Sequence, residues 1–505
     1  MKVPIDRVRT AITKVFGRSG PLVLSRVMSF LLGFALPLVL VRLLAPAQYG
    51  AYKQFFLVGQ TILFTGQMGM TQSLFYFVPR GGPRRGVYIA HTFLILGTLG
   101  MVLGAGLWLL APHVGGWLGS PDLGNLRIPL ALYAGGMLAA APLEGALISD
   151  GRVNGAAFAF TCSDGVRTLS MVLAAKLLGG HWIFWAAALV ACLRVTALWT
   201  LVVRGALPFQ RPEKKLLRQQ LGFALPFAGA TLLFIAQRYF AQYAVSAHFD
   251  PATFALFTVA SFHLPIIDIV FTPISEVLMV ELGRPGVREN RGVALRHWHD
   301  AMDRLSWILF PAACGAWLLG GVTLPLLFTH RYEGAVPLFM LTTFGILLAV
   351  MPVDALIRAA GETRFLFGFN FVRLAFTVGC VLAGVHFFGV LGAVLGGLTS
   401  ETLSSMIMLL RGRRFFGGPL RDLFHWPQLG RTTGAALIAA LPTVAVRLVL
   451  KPGFAFLGVS IAIYAASYLG TMWLLQRRAR QEAGETAAAV VMQPPLRSNI
   501  AATGT

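Results

Sequence analysis

Five arginines stand inside stretches that are otherwise apolar: Arg26, Arg167, Arg194, Arg238 and Arg373. An arginine at the centre of a membrane-buried helix costs roughly 2.5–3.5 kcal/mol on insertion scales, so each must pair with an acid, line a wet cavity or bind an anion. The guanidinium is also a planar fork that holds phosphate or carboxylate oxygens two at a time. Deep carboxylates are fewer, with Asp164 and Asp268 the clearest. A cationic interior follows. Asp164 and Arg167 are three residues apart and can neutralise each other on one helix. Arg194 can pair with Glu144. Arg26, Arg238 and Arg373 have no acid close by in sequence, which leaves anion binding or an ion pair between helices.

Helical spacing extends each of these residues into a polar stripe. Arg26, Ser29, Gly33 and Pro37 share a face, as do Thr231, Arg238 and Gln242. Asn370, Arg373 and Thr377 form a third stripe; Gln60, Gln67 and Thr71 form a fourth. Ser261, Asp268, Thr272 and Ser275 form a fifth, with Glu276 beside it. The candidate ligand-binding set is therefore Arg26, Arg238, Arg373, Gln60, Gln67, Gln242 and Asn370. Asp268 and Glu276 either answer the arginines or carry a coupling ion. Glu401, among Thr399, Ser400, Thr402, Ser404 and Ser405, reads as a helix-packing residue. Gly100 with Gly104, and Gly392 with Gly396, have the spacing of close helix contacts. His297-Trp298-His299-Asp300 has metal-ligating residue types but no further ligand near it. No metal or cofactor is expected. Cys162, Cys192, Cys314 and Cys380 lie in apolar runs and read as packing residues.

The elements that carry these stripes follow from composition. Of 505 residues, 56% are hydrophobic and 12% charged, against roughly 25% charged in a soluble domain. Mean hydropathy is +0.71. A soluble enzyme, a disordered chain, a coiled coil and a disulfide scaffold are excluded. An outer-membrane barrel is excluded too, because its strands alternate apolar and polar. What remains is an all-α polytopic membrane protein. At about 20 apolar residues per crossing, about 14 spans are expected, near 20–42, 52–78, 87–111, 125–148, 155–178, 181–204, 219–247, 251–280, 303–328, 335–358, 365–385, 388–411, 432–450 and 453–475. The formal net charge of +22 is mostly topology. Arginines and lysines crowd alternate loops, about 30 on one side against about 7 on the other. That pattern puts both termini in the cytoplasm and gives no reason to invoke nucleic acid. The 281–303 loop, with Val293, Leu295, Trp298 and Met302 among basic residues, is expected to be an interfacial helix.

An internal repeat is also expected. Pro46-Ala47 with Tyr49 and Tyr52 answers Pro251-Ala252 with Phe254 and Phe257 at an offset of about 205. Pro129-Leu130 answers Pro337-Leu338, and Ala146-Leu147-Ile148 answers Ala355-Leu356-Ile357, at nearly the same offset. Two duplicated six-helix lobes follow, in parallel orientation, as transporters often have. No phosphate-cradling GxxxxGK[ST], HExxH or nucleophile-plus-base arrangement is present. Transport is expected, not catalysis.

Arg42-Leu43-Leu44-Ala45-Pro46-Ala47-Gln48-Tyr49-Gly50-Ala51-Tyr52 resembles the opening of the polysaccharide flippases of the O-antigen type, within the multidrug/oligosaccharidyl-lipid/polysaccharide exporter superfamily. Phe328 to Leu338 resembles the family's entry into span 10, with His330 and Arg331 at variance. Arg358-Ala359-Ala360-Gly361-Glu362-Thr363 resembles a family turn. Where many relatives carry Asp-Arg in span 7, this chain has Gln237-Arg238, which keeps the cation and drops the acid. The resemblance covers roughly residues 10–411. It implies two lobes around an alternating-access cavity in the bacterial inner membrane. It implies an undecaprenyl-pyrophosphate-linked oligosaccharide as substrate, H+ or Na+ as coupling ion, and a polymerase and glycosyltransferases as partners. The alternatives are a cation-coupled multidrug exporter of the same superfamily, a lipid II flippase, and a polysaccharide-pathway enzyme or scaffold.

The expected organisation is a basic N-terminus (1–19), a six-helix lobe (20–204), a linker (205–218), a second six-helix lobe (219–411), two added helices with their loop (412–475) and a disordered tail (476–505).

Overall fold

Inside a bilayer a backbone must satisfy its own hydrogen bonds, and a helix does so within one segment. Every regular element among the described residues of the computed structural model is helical. The structure describes residues 5–262, 265–284, 286–287 and 289–491, with the side chains of 5–21, 23, 265–268, 363 and 478–491 left out. The helices begin with α1 (Ile5–Leu43), α2 (Pro46–Gly66), α3 (Met70–Arg80), α4 (Arg85–Trp117), α5 (Pro121–Asn125) and α6 (Arg127–Ala140). Next come α7 (Pro142–Ser149), α8 (Val153–Leu173), α9 (Trp182–Val203), α10 (Lys214–His248), α11 (Pro251–Ala260) and α12 (Pro265–Leu282). The remainder are α13 (Arg291–Phe328), α14 (Val336–Thr342), α15 (Phe344–Leu348), α16 (Val353–Ala359), α17 (Thr363–Phe416), α18 (Trp426–Val449) and α19 (Phe454–Val491).

Ten segments among the described residues are long and apolar enough to cross a membrane, against the fourteen expected. The difference has a physical origin. Segment 52–78 is split at the left-handed Gly69, and segment 251–280 is split between α11 and α12. Segment 155–178 carries Asp164 and Arg167. Segments 365–385 and 388–411 run on as α17, which folds back at Gly389 (φ 60°, ψ −139°). That turn needs the left-handed region, where glycine pays no β-carbon penalty.

The described helices divide into two compact units. The first comprises Met1–His263, Leu327–Thr342 and Glu362–Ile407. In it α1 packs along α8, α4 along α6, α6 along α9, and α2 along α11. Gly100 lies against the Gly135 carbonyl, and Gly104 against that of Ala131. Within α17, Gly392 meets Gly384 and Gly396 meets Cys380 backbone to backbone. Both glycine spacings therefore mark real close contacts. Phe55, Phe56, Tyr133 and Phe184 form an aromatic core, with ring centroids 4.9–5.5 Å apart.

The second unit comprises Leu264–Leu326, Thr343–Gly361 and Met408–Thr505. Here α18 packs along α19 through Ala435, Ala436, Ala439, Tyr464 and Tyr468. The expected interfacial helix is instead the start of α13. Trp298 is fully buried, donates its indole N–H to the Leu423 carbonyl at 2.8 Å and packs on Phe416. Trp298 and Met302 are thus spent on protein contacts, while Val293 and Leu295 stay half-buried. His299 contacts the Asp422 carbonyl, and His425 the Asp303 carboxylate, both at 2.8 Å. The helix α19 runs to Val491, so the described part of the expected tail is helical; residues 492–505 lie outside the described residues.

Candidate functional site

The first unit gathers most of the deep charges. Arg194 on α9 reaches Glu144 on α7 at 2.5 Å and Ser163 on α8 at 2.7 Å. Asp164 and Arg167 pair at 3.2 Å within α8. Arg26 on α1 stacks its guanidinium over the Phe160 ring at 4.0 Å and lies within electrostatic reach of Glu144. Among the described residues, three guanidiniums thus face two carboxylates, with Arg26 itself exposed. Ser29 on the Arg26 face, Thr168 beside Arg167, and the Nε atoms of Arg167 and Arg194 are buried without a hydrogen-bond partner among the described residues. Two of these four atoms, the arginine Nε groups, can only donate.

The polar zone continues into α10. Tyr133 is within electrostatic reach of Arg167, Arg194, Asp164 and Tyr239. The Tyr239 hydroxyl approaches Gln60 Oε1 at 3.4 Å, and Tyr243 donates to Thr61 at 2.8 Å. Arg238 is exposed, lies 5.9 Å from the Phe234 ring centroid and makes no ion pair among the described residues. Gln237 donates to the Asn370 carbonyl at 2.8 Å.

Arg373 is different. It bonds Glu401 at 2.5 Å across the α17 fold-back, beside a Thr377–Ser400 contact of 3.0 Å. Its charge is answered by a carboxylate 28 residues away, so it takes the ion-pair alternative rather than standing as a free cation. Glu401 is that partner rather than a packing group alone. The structure brings Gln60 toward Tyr239 and Asn370 toward Gln237. It shows no contact joining Arg26, Arg238 and Arg373 to one another among the described residues. Gln67 ends α2, and Gln242 is half-buried on α10. Glu276 is exposed, and the Asp268 side chain lies outside the described set.

A further set of contacts ties α2 to α10, α11 and the turn after α4. Gln54, fully buried, donates to Ser246 Oγ and to the Leu118 carbonyl, each at 2.9 Å. Gly50 abuts the Pro251 carbonyl so closely that no β-carbon would fit. Tyr49 meets Tyr332 edge-on at 5.9 Å. The sequence reading missed Gln54, Ser246, Tyr239 and Tyr243. For Tyr239, Tyr243 and Ser246 a signal was present, because these positions repeat at helical steps beyond Arg238; for Gln54 there was none.

Residues 39–337 match the family described as polysaccharide biosynthesis protein. The chain belongs to this family. No curated protein matches it by sequence. Among solved structures, the lipid II flippase MurJ in an inward closed conformation is similar with a TM-score of 0.72 at 11% identity, over 90% of this chain and 98% of that one. A transporter of the MOP superfamily from Pyrococcus furiosus, whose binding pocket is described as reversed in polarity, gives a TM-score of 0.52 at 16% identity, over 80% and 95%. A mutant of the MATE transporter VcmN of Vibrio cholerae gives 0.51 at 13%, over 80% and 97%. The polysaccharide biosynthesis family member described here is therefore a multi-pass helical membrane protein with the fold of that superfamily.

Proposed function

We propose that this protein moves a lipid-linked oligosaccharide across the inner membrane by alternating access, gripping its diphosphate with interior arginines. The observation that carries this reading is the unanswered positive charge. Among the described residues, three guanidiniums face two carboxylates around Glu144, and Arg238 has no acid partner. Such a lining favours an anion and repels a cationic drug. Family membership supports a glycan cargo, and the basic-loop pattern supports a cytoplasmic start. The contacts among Gln54, Ser246, Gly50 and Pro251 then serve as the outward gate. The likeness to MurJ, which covers nearly all of that chain, favours lipid II as the second cargo to try. Glu276 and Asp268 are the groups to vary for ion coupling.

Purified protein in liposomes, loaded with undecaprenyl-pyrophosphate-linked glycan or with lipid II, tests the reading. Translocation of the first and not the second is expected. Gly50→Val, which cannot close against Pro251, is expected to cut translocation at least about tenfold, a barrier change of about 1.4 kcal/mol. Transport of neither lipid would overturn the proposal.

A further inference from the structure

A groove in the same unit borders the charge cluster at its inner end. Helix α8 packs chiefly on α1 and α9 chiefly on α6, while α8 and α9 also touch each other. Between them, floored by α7, is a cavity of about 1140 Å³. Its walls are Phe158, Cys162 and Val166 on one side and Leu193, Ala197 and Leu201 on the other. Phe158 is 74% exposed and Leu193 50%, so the slot is open along this side.

Its two ends differ. At the basic-loop end stand Arg152, Asn154 and Gly155, at the start of α8. The first amides of a helix have no intrahelical acceptor and attract anions. Arg152 caps none of them. Instead one of its nitrogens is anchored on the Ala206 carbonyl, which holds the guanidinium at the mouth. Farther in, the slot meets Arg194, but that cation is already bound by Glu144 and Ser163. The cation not already held by an acid therefore sits at the mouth, and the walls beyond it are mostly apolar, with Ser163, Arg194 and Thr200 among them. From residue 153 to 166 an α-helix advances roughly 20 Å, somewhat more than the ~15 Å of one leaflet's hydrocarbon.

We propose that this slot holds an anionic phospholipid of the basic-loop leaflet, with its phosphate against Arg152 and the start of α8 and one acyl chain between α8 and α9. Charge complementarity at the mouth selects the headgroup. The leaflet-deep length suits an acyl chain, whereas an extended undecaprenyl chain is roughly two to three times as long as the slot. The occupant is thus bilayer lipid and not cargo, and the inference stands apart from the function proposed above.

Cys162, exposed within the slot, reports on occupancy. The full-length protein with Cys192, Cys314 and Cys380 changed to Ala is delipidated in detergent, and its alkylation by an apolar maleimide is timed. Phosphatidylglycerol is expected to slow labelling about tenfold near ten times its dissociation constant, and phosphatidylcholine to leave it unchanged. R152Q is expected to erase the difference between the two lipids. Ala159→Trp, which fills the slot, is expected to slow labelling with no lipid present. Equal protection by both lipids, protection by neither, or stronger protection by undecaprenyl phosphate would overturn the proposal. The lipid comparison needs no change at Arg152, so it stands even if that variant does not fold.

Discussion

Arg194 and Arg238 are the same side chain in neighbouring parts of one unit, and the fold treats them in opposite ways. The Arg194 side chain is only 14% exposed and is gripped by Glu144 and Ser163. Arg238 is exposed and has only an aromatic ring and a tyrosine beside it among the described residues. Arg373 falls with Arg194, since Glu401 holds it. Arg26 falls with Arg238, since it rests on Phe160 and only shares the field of Glu144. The lesson is that an arginine in an apolar segment has two uses. A paired one ties helices together. An unpaired one keeps its donors for a ligand, and its desolvation cost is offset only when that ligand or water is present.

The comparison breaks most visibly at Arg194. Removing one partner of a buried pair leaves the other charge unanswered, at about 3–5 kcal/mol. Arg194→Ala is expected to lower the thermal midpoint sharply in detergent, whereas Arg26→Ala is expected to shift it little. Equal shifts would erase the distinction. A smaller effect is expected at the α17 fold-back, where Glu401 is nearly half exposed. Arg373→Gln and Glu401→Gln should each destabilise, and the double variant should recover part of the loss. A double-mutant cycle should give a coupling of about 0.5–3 kcal/mol, and no coupling would make the pair incidental.

The smallest effect lies at Asp250, which caps α11 through Ala252 N–H and accepts from the Thr253 hydroxyl. Its loss in Asp250→Ala should cost about 1 kcal/mol. The Thr253 hydrogen bond holds the Asp250 carboxyl below its ordinary value. The stability it adds is therefore full above the unfolded value and is lost as pH falls through the lower folded value. The difference between wild type and Asp250→Ala should narrow on acidification, as read by unfolding at several pH values.

Legibility in the sequence followed distance along the chain. The Asp164–Arg167 pair was readable from a spacing of three, and the glycine contacts at 100, 104, 392 and 396 from a spacing of four. The Arg194–Glu144 pair was readable because the deep charges in that half of the chain are few. Glu401 was visible as a polar residue but not as the partner of Arg373, because that contact depends on where the chain folds back. Gln54 and Ser246 are 192 residues apart, and nothing local announces their bond. Trp298 resembled a membrane anchor because burial against Leu423 and Phe416 cannot be read from amphipathic spacing. Cys162 read as a packing residue, but it is exposed in the groove that α8 and α9 line.

The most direct measurement is binding of undecaprenyl pyrophosphate to purified protein, compared among wild type, Arg238→Gln, Arg26→Gln and the Arg373→Gln/Glu401→Gln double variant. Loss of one charge-assisted contact of about 1.5–3 kcal/mol should weaken binding roughly ten- to a hundredfold in the first two variants. The double variant, which removes only a self-neutralised pair, should bind as wild type does. Undiminished binding by both single variants, or loss confined to the double variant, would contradict the assignment of the anion site to the unpaired arginines.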